Sequence, residues 1–235
     1  MATVTHRVVT PSTSNVTSYT SGSFTPSVND LLIVMVYATA TIAAGSLTGS
    51  TGPTFTKIRS NADAFGATLY LFVANSLITS ATAQTVTFDC TGDAATGAII
   101  NVASVSGMSK TGTSAILQST SATHVTGSAP TSTFTSTTDT NNAIITVYGS
   151  IDPTATPASA GVPSTFTSGT VTNTTIGNPF ARSEYAYKNS GSTITAVTWS
   201  SNTSAGLSSS IELDTSTVTI VLPAVVMRSG GIIGS

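Results

Sequence analysis

The chain has 235 residues, of which 7% are charged, 40% hydrophobic and 6% aromatic, with a formal net charge of −2 and a single cysteine. Charged residues normally make up about 25% of a globular protein, and Ser and Thr together fill roughly a third of this one. These figures exclude an electrostatic footprint for nucleic acid and an intramolecular disulfide, while leaving enough chain to bury roughly 70% of the unfolded surface in a sizeable core.

In chain order, period-2 stretches predict strands over Thr3–Thr10, Leu31–Ala38, Thr54–Ser60, Thr68–Asn75, Gln84–Asp89, Ala98–Ser106, Ala143–Ser150, Arg182–Lys188, Thr193–Trp199 and Gly206–Asp214. Clusters of Gly, Pro, Asn, Asp and Ser separate them, as turns should. The N-terminus, Met1-Ala2-Thr3-Val4-Thr5-His6-Arg7, lacks a basic region followed by an apolar one, so no secretory signal is expected. Leu31–Ala38 is continuously apolar. It is too short to span a bilayer and reads as a strand buried on both faces.

An internal repeat organises these strands. Ser23-Phe24-Thr25 leads through Asn29-Asp30 into Leu31–Tyr37, and Thr133-Phe134-Thr135 leads through Asn141-Asn142 into Ala143–Tyr148. The order continues: Pro53–Thr56 answers Pro163–Thr167, Tyr70-Leu71-Phe72 answers Tyr185-Ala186-Tyr187, Thr85–Phe88 answers Ala196–Trp199, and Ile99–Val105 answers Leu207–Leu213. Matches in one order at a spacing of about 110 residues imply duplication. The halves run about 20–107 and 132–214 within a unit covering 1–215. They form either two small sandwiches or one pseudo-symmetric sandwich, and the shortness of each copy favours the second. The polar connector Gly107–Thr131 reads as a loop or meandering edge.

The tail 216–235 stands apart. It carries Val218, Ile220, Leu222, Val225, Val226, Met227, Ile232 and Ile233, too apolar to stand free in water. A closing strand, an arm docked on another subunit by strand addition and an interfacial anchor compete, the last weakened by a single Arg. The tail is therefore expected to be the assembly interface, as an arm or a closing strand.

Catalytic equipment is sparse. His6 and His124 are the two histidines, and no Gly-x-Ser-x-Gly elbow occurs. Cys90 at a strand end reads as a small buried hydrophobe. Asp89 and Asp93 are the densest acidic pair and only weak candidates for a metal, since calcium needs six to eight oxygens; capping of a turn is the plainer role. Glu184 and Glu212, the two glutamates, fall in repeat-equivalent strands rather than as a catalytic pair. Trp199 matches Phe88, so it belongs to the core. The sequence thus predicts a protein that is not an enzyme and has no cofactor.

The run Phe24–Val34, then Phe55-Thr56-Lys57-Ile58, Leu69–Ala74, Val86-Thr87-Phe88 and Val102–Met108, with Ser209–Leu213 closing the second copy, resembles a pattern of tailed-bacteriophage virion proteins and phage-derived bacterial surface proteins. The resemblance covers roughly residues 20–214 and carries no catalytic signature. It implies an all-β, jelly-roll-like antiparallel β-sandwich with internal pseudo-duplication and a C-terminal extended arm. It implies a location in the virion, with assembly in the host cytoplasm. The partners it implies are other virion proteins, major capsid or tail subunits, and further copies of the chain as a homo-oligomer, with no nucleic acid and no membrane. Capsid decoration or stabilisation through strand-mediated subunit contacts is the leading expectation. A carbohydrate- or receptor-binding module of a phage tail or bacterial surface is the alternative.

Overall fold

The computed structural model describes residues 1–216 apart from 43, 64–65, 91, 94, 153, 176–179, 190–192 and 202–203. The arm residues Val218, Ile220, Leu222, Val225, Val226, Met227, Ile232 and Ile233 lie outside the described residues.

The described chain is all-β and antiparallel. Its strands are β1 (Thr3–Ser12), β2 (Ser18–Thr20), β3 (Leu31–Ala38), β4 (Ser46–Gly49), β5 (Phe55–Ala62), β6 (Thr68–Ala74), β7 (Val86–Asp89), β8 (Ala98–Ser106), β9 (Ile116–His124), β10 (Thr131–Thr133), β11 (Ala143–Asp152), β12 (Thr167–Thr175), β13 (Phe180–Lys188), β14 (Ala196–Thr198) and β15 (Gly206–Leu213), with one 3-10 turn at Gly112–Ala115. They form two five-stranded sheets, β1-β8-β3-β6-β5 and β12-β13-β11-β15-β9, and two small cover sheets, β2-β7-β4 and β10-β14.

The five-stranded sheets pack face to face. One apolar cluster draws Ile33, Met35 and Leu71 from the first and Ile145, Val147 and Ile211 from the second. Asn101 donates from Nδ2 to Ser183 Oγ across the interface at 3.1 Å. The Tyr37 ring lies so close over Gly149 that a Cβ there would sit 2.3 Å from Tyr37 Cδ2. The sheet edges are tied as well: His6 Nδ1 on β1 meets Tyr185 OH at 2.7 Å, and Arg59 on β5 donates to the Ser119 hydroxyl at 2.8 Å and to its carbonyl on β9.

The covers close the outer faces. Tyr19, Leu47, Val86 and Phe88 are buried, and the Phe88 ring packs on Tyr70 and Phe72 with centroids 5.1 and 6.2 Å apart. On the other side Trp199 packs on Tyr148 at 6.0 Å, and Val197 packs with Phe134 and Ile144. A strand between two layers has no wet face, which is why all eight residues of β3 are apolar and buried.

The two halves share more than composition. Each strand of the second half starts about 110 residues after its counterpart, and the large sheets have the same order, β9-β15-β11-β13-β12 against β1-β8-β3-β6-β5. A bulge interrupts β5 between Lys57 and Arg59, and another interrupts β12 between Ser168 and Thr170. The turn before the central strand closes by Asp30 N–H to Ser27 O at 3.2 Å in one half and by Asn142 N–H to Asp139 O at 3.2 Å in the other.

The structure refines the sequence reading at three points. The connector 107–131 holds the nine-residue strand β9, paired with β15 along its length as the last strand of its sheet, the edge rather than the loop of the two readings left open. The strands β2, β4, β10 and β12 lacked a legible pattern. The tyrosines matched by sequence face opposite ways: Tyr70 stacks with Phe72 toward the cover, whereas Tyr185 points between the large sheets to His6.

Candidate functional site

The chemistry-bearing residues come first, since they decide whether a reaction is in play. His124 is buried, its Nε2 2.7 Å from Ser208 Oγ, and burial lowers its pKa. His6 is lowered for the same reason. Glu212 is fully buried and accepts from Gln118 Nε2 at 2.6 Å, from Asp139 N–H at 2.7 Å and from Asn142 Nδ2 at 2.8 Å. Glu184 accepts from Ala160 N–H at 3.0 Å and lies 3.4 Å from Arg182 Nε. Burial raises its pKa, against the lowering effect of a Ser159 hydrogen bond, the Arg182 charge and the Ala160 amide. Asp30 holds Arg7 at 2.7 Å, and Arg7 also donates to Ser104 Oγ at 2.7 Å.

The weak metal candidates separate in role. Asp89 is exposed at the end of β7, and Asp93 donates its N–H to Cys90 O at 3.2 Å in the following turn. Among the described residues there is no group of three or more His, Cys, Asp or Glu placed to hold a metal ion. Cys90 is buried, and desolvation, then the Asp89 charge, pushes its thiol up to about 11.

What remains is surface architecture at two places in the second half. The first is where the chain leaves β15. Lys110 Nζ pairs with Asp214 at 2.5 Å, Ser109 Oγ donates to Ser216 O at 3.1 Å, and Thr215 N–H donates to Asn142 Oδ1 at 3.1 Å. Burial alone would raise the Asp214 carboxyl, but the hydrogen bonds from Lys110 and Ser216 outweigh it and hold its pKa below the usual value. A surface groove of about 460 Å³ adjoins this exit, lined by Leu117, Asp139, Asn141 and Thr215 among others.

The second is the cover sheet. In the first half β7 is the middle strand, with β2 on one side and β4 on the other. In the second half, among the described residues, β14 pairs with β10 alone. The stretch that follows β11, in the place of β4, carries Pro153, Pro157 and Pro163. Proline has no N–H for a ladder; the loop bonds just beyond β14, through Ser201 N–H to Ala160 O at 3.0 Å and Val162 N–H to Ser200 Oγ at 3.1 Å, and its Phe166 packs against the cluster of Phe134, Ile144 and Val197. A groove of about 330 Å³ runs along the remaining edge, lined by Pro163, Phe166, Ile194, Ala196, Val197 and Thr198. Sequence reading missed this edge, though the spacing of those prolines against the proline-free Ala38–Gly52 was a visible signal.

Compared with protein-family models, with curated proteins and with solved structures, the chain finds no match.

Proposed function

We propose that the chain is a non-enzymatic structural subunit of a bacteriophage virion, one that decorates or stabilises the capsid through strand-mediated contacts. The observation that carries this reading is the use made of its reactive side chains. The two glutamates, His124 and the Arg7–Asp30 pair are spent on bonds that fasten strands and turns to one another, and the residues left for the outside are mostly Ser and Thr.

The strand order supports it further. An eight-stranded jelly roll, an architecture of capsid and lectin domains, pairs β1-β8-β3-β6 in one sheet and β2-β7-β4-β5 in the other. The first half has this order with β5 moved to the edge of the large sheet, and the second repeats it without a β4. We read the chain as two such units, duplicated and joined through their large sheets.

Mass spectrometry and electron microscopy of the native particle test the proposal. Many copies per head are expected. A chain missing from particles that instead binds glycans as an isolated monomer would overturn it in favour of a receptor-binding module.

A further inference from the structure

We propose that the outer edge of β9 joins two copies of this chain, Ser119–Thr123 of one pairing antiparallel with the same residues of the other about a two-fold axis at Ser121. This inference rests on the assembly reading above and names the strand that assembly uses.

Among the described residues, β9 ends its sheet and no strand pairs beyond it. Its neighbour β15 shows which of its backbone groups face outward. Thr146 Oγ1 on β11 donates to the Ser209 carbonyl at 3.5 Å, so Ser209 turns its backbone groups to β11 and away from β9. Ser121 stands opposite Ser209. In an antiparallel ladder such a pair exchanges no bonds, and the N–H and C=O of Ser121 point away from β15. By the same alternation so do those of Ser119 and Thr123. The Ser119 carbonyl is the one that Arg59 reaches from β5 on the other large sheet, as this phase requires.

The other three edges of the large sheets are guarded against pairing. β1 shifts register between His6 and Val8, carries Pro11, and has its Val4 amide taken by Asn189 Oδ1 at 2.8 Å. β5 bulges between the charged Lys57 and Arg59, and β12 bulges between Ser168 and Thr170. From Gln118 to His124, β9 keeps an unbroken register with β15 and holds no proline, lysine, arginine or acidic residue.

The occupant follows from the strand itself. Laid against its own copy about Ser121, the run Ser119-Thr120-Ser121-Ala122-Thr123 sets Ser119 opposite Thr123 and Thr120 opposite Ala122. Every side chain in that seam is small and uncharged, so no like charges meet and the backbones can close to the usual strand spacing of about 4.8 Å. The amides of Ser119, Ser121 and Thr123 each find a carbonyl of the other copy. The Ser119 carbonyl keeps Arg59 on its second lone pair. The same patch serves both copies, which makes the contact closed and self-complementary, as in most homodimers.

Sedimentation and cross-linking of the full chain test this. Ser121→Cys puts the same thiol on both sides of the axis, so this one variant should yield a covalent dimer with a short bismaleimide; the native Cys90 is buried and stays silent. Ser121→Pro removes an outward amide from each copy but no bond to β15, and should weaken dimerisation about tenfold. Ser121→Lys sets like charges across the axis and should weaken it about fivefold, which keeps the result readable if the proline variant misfolds. Copies that associate as before in both variants, without the adduct, overturn the seam and leave the assembly reading standing. A chain that stays monomeric at every concentration also overturns the seam, while its presence in native particles still decides the assembly reading.

Discussion

Substituting Gly149 by alanine probes the contact that joins the two large sheets. The added methyl would sit 2.3, 2.6 and 2.8 Å from Cδ2, Cε2 and Cγ of Tyr37, where carbons prefer about 3.5–4.0 Å. More than an ångström must be found. Tyr37 is fully buried on the central strand, paired with Leu69 on one side and Ile99 on the other, so neither ring nor backbone has room to withdraw. Overpacking of this kind destabilises by about 1–3 kcal/mol, and the fixed ring places Gly149→Ala near about 3. For a chain of this size that lowers Tm by about 6–12 °C. Tyr37→Ala alone opens a cavity and costs about 3–5 kcal/mol. In the double variant the methyl enters that cavity, so the two losses should fall short of additivity by about 2 kcal/mol. Urea unfolding followed by the emission of Trp199, buried in the second half, together with thermal circular dichroism, measures all four proteins. A Gly149→Ala chain within about 0.5 kcal/mol of the parent, or strictly additive losses, would refute the face-to-face packing of the halves.

Three other outcomes are expected. Glu212→Ala strips the acceptor from the Gln118, Asn142 and Asp139 donors and should cost about 3–5 kcal/mol, read from the urea midpoint; a loss under about 1 kcal/mol would mean those donors find other partners. His124 and His6 have folded pKa values below the ordinary 6.5, so the unfolded chain binds more protons on acidification. The stability tied to them is present above 6.5 and is lost as pH falls through the lower folded values. His124→Gln should flatten the decline of the urea midpoint over that window, and an unchanged slope would rule His124 out as a source. Cys90, buried and with its thiol pushed up to about 11, should resist a thiol-specific reagent at about pH 8 while folded and react at once in urea; labelling of the native protein contradicts the burial.

The central strands were legible in the sequence because burial on both faces leaves an apolar run, as in β3. Of the edge strands, β1 and β5 were legible as Thr3–Thr10 and Thr54–Ser60, whereas β9 and β12 were not. Leu117–His124 and Thr167–Thr175 are mostly Ser, Thr, Asn and Gly, and what holds them is pairing to a neighbour rather than a periodic apolar face. The cover strands β2 and β10 are three residues long, too short for a period to show, while β14 lies within the stretch Thr193–Trp199 that the sequence marks as a strand. Matching tyrosine to tyrosine crossed the two faces of the sheet, because one residue of slip inverts every side chain. By the ladders, Tyr70 stands opposite Val36 and Tyr185 opposite Val147. The edge of β14 away from β10 was hidden for a different reason: among the described residues no strand pairs with it there, so there is no pattern to read.

Beneath the second cover, beside the contacts of Trp199 and Phe134, runs a relay of buried hydroxyls. Ser132 sits 2.6 Å from Ser210, Ser210 donates to Thr146 at 2.8 Å, and Thr146 turns to the Ser209 carbonyl at 3.5 Å, all four residues being buried. A greasy contact between rings keeps most of its attraction when one layer slides past the other by part of a residue. A relay of hydroxyls does not, since a small displacement leaves each link without its partner in a place water does not reach. The β10–β14 cover is therefore fastened like a key in a lock, at one register only.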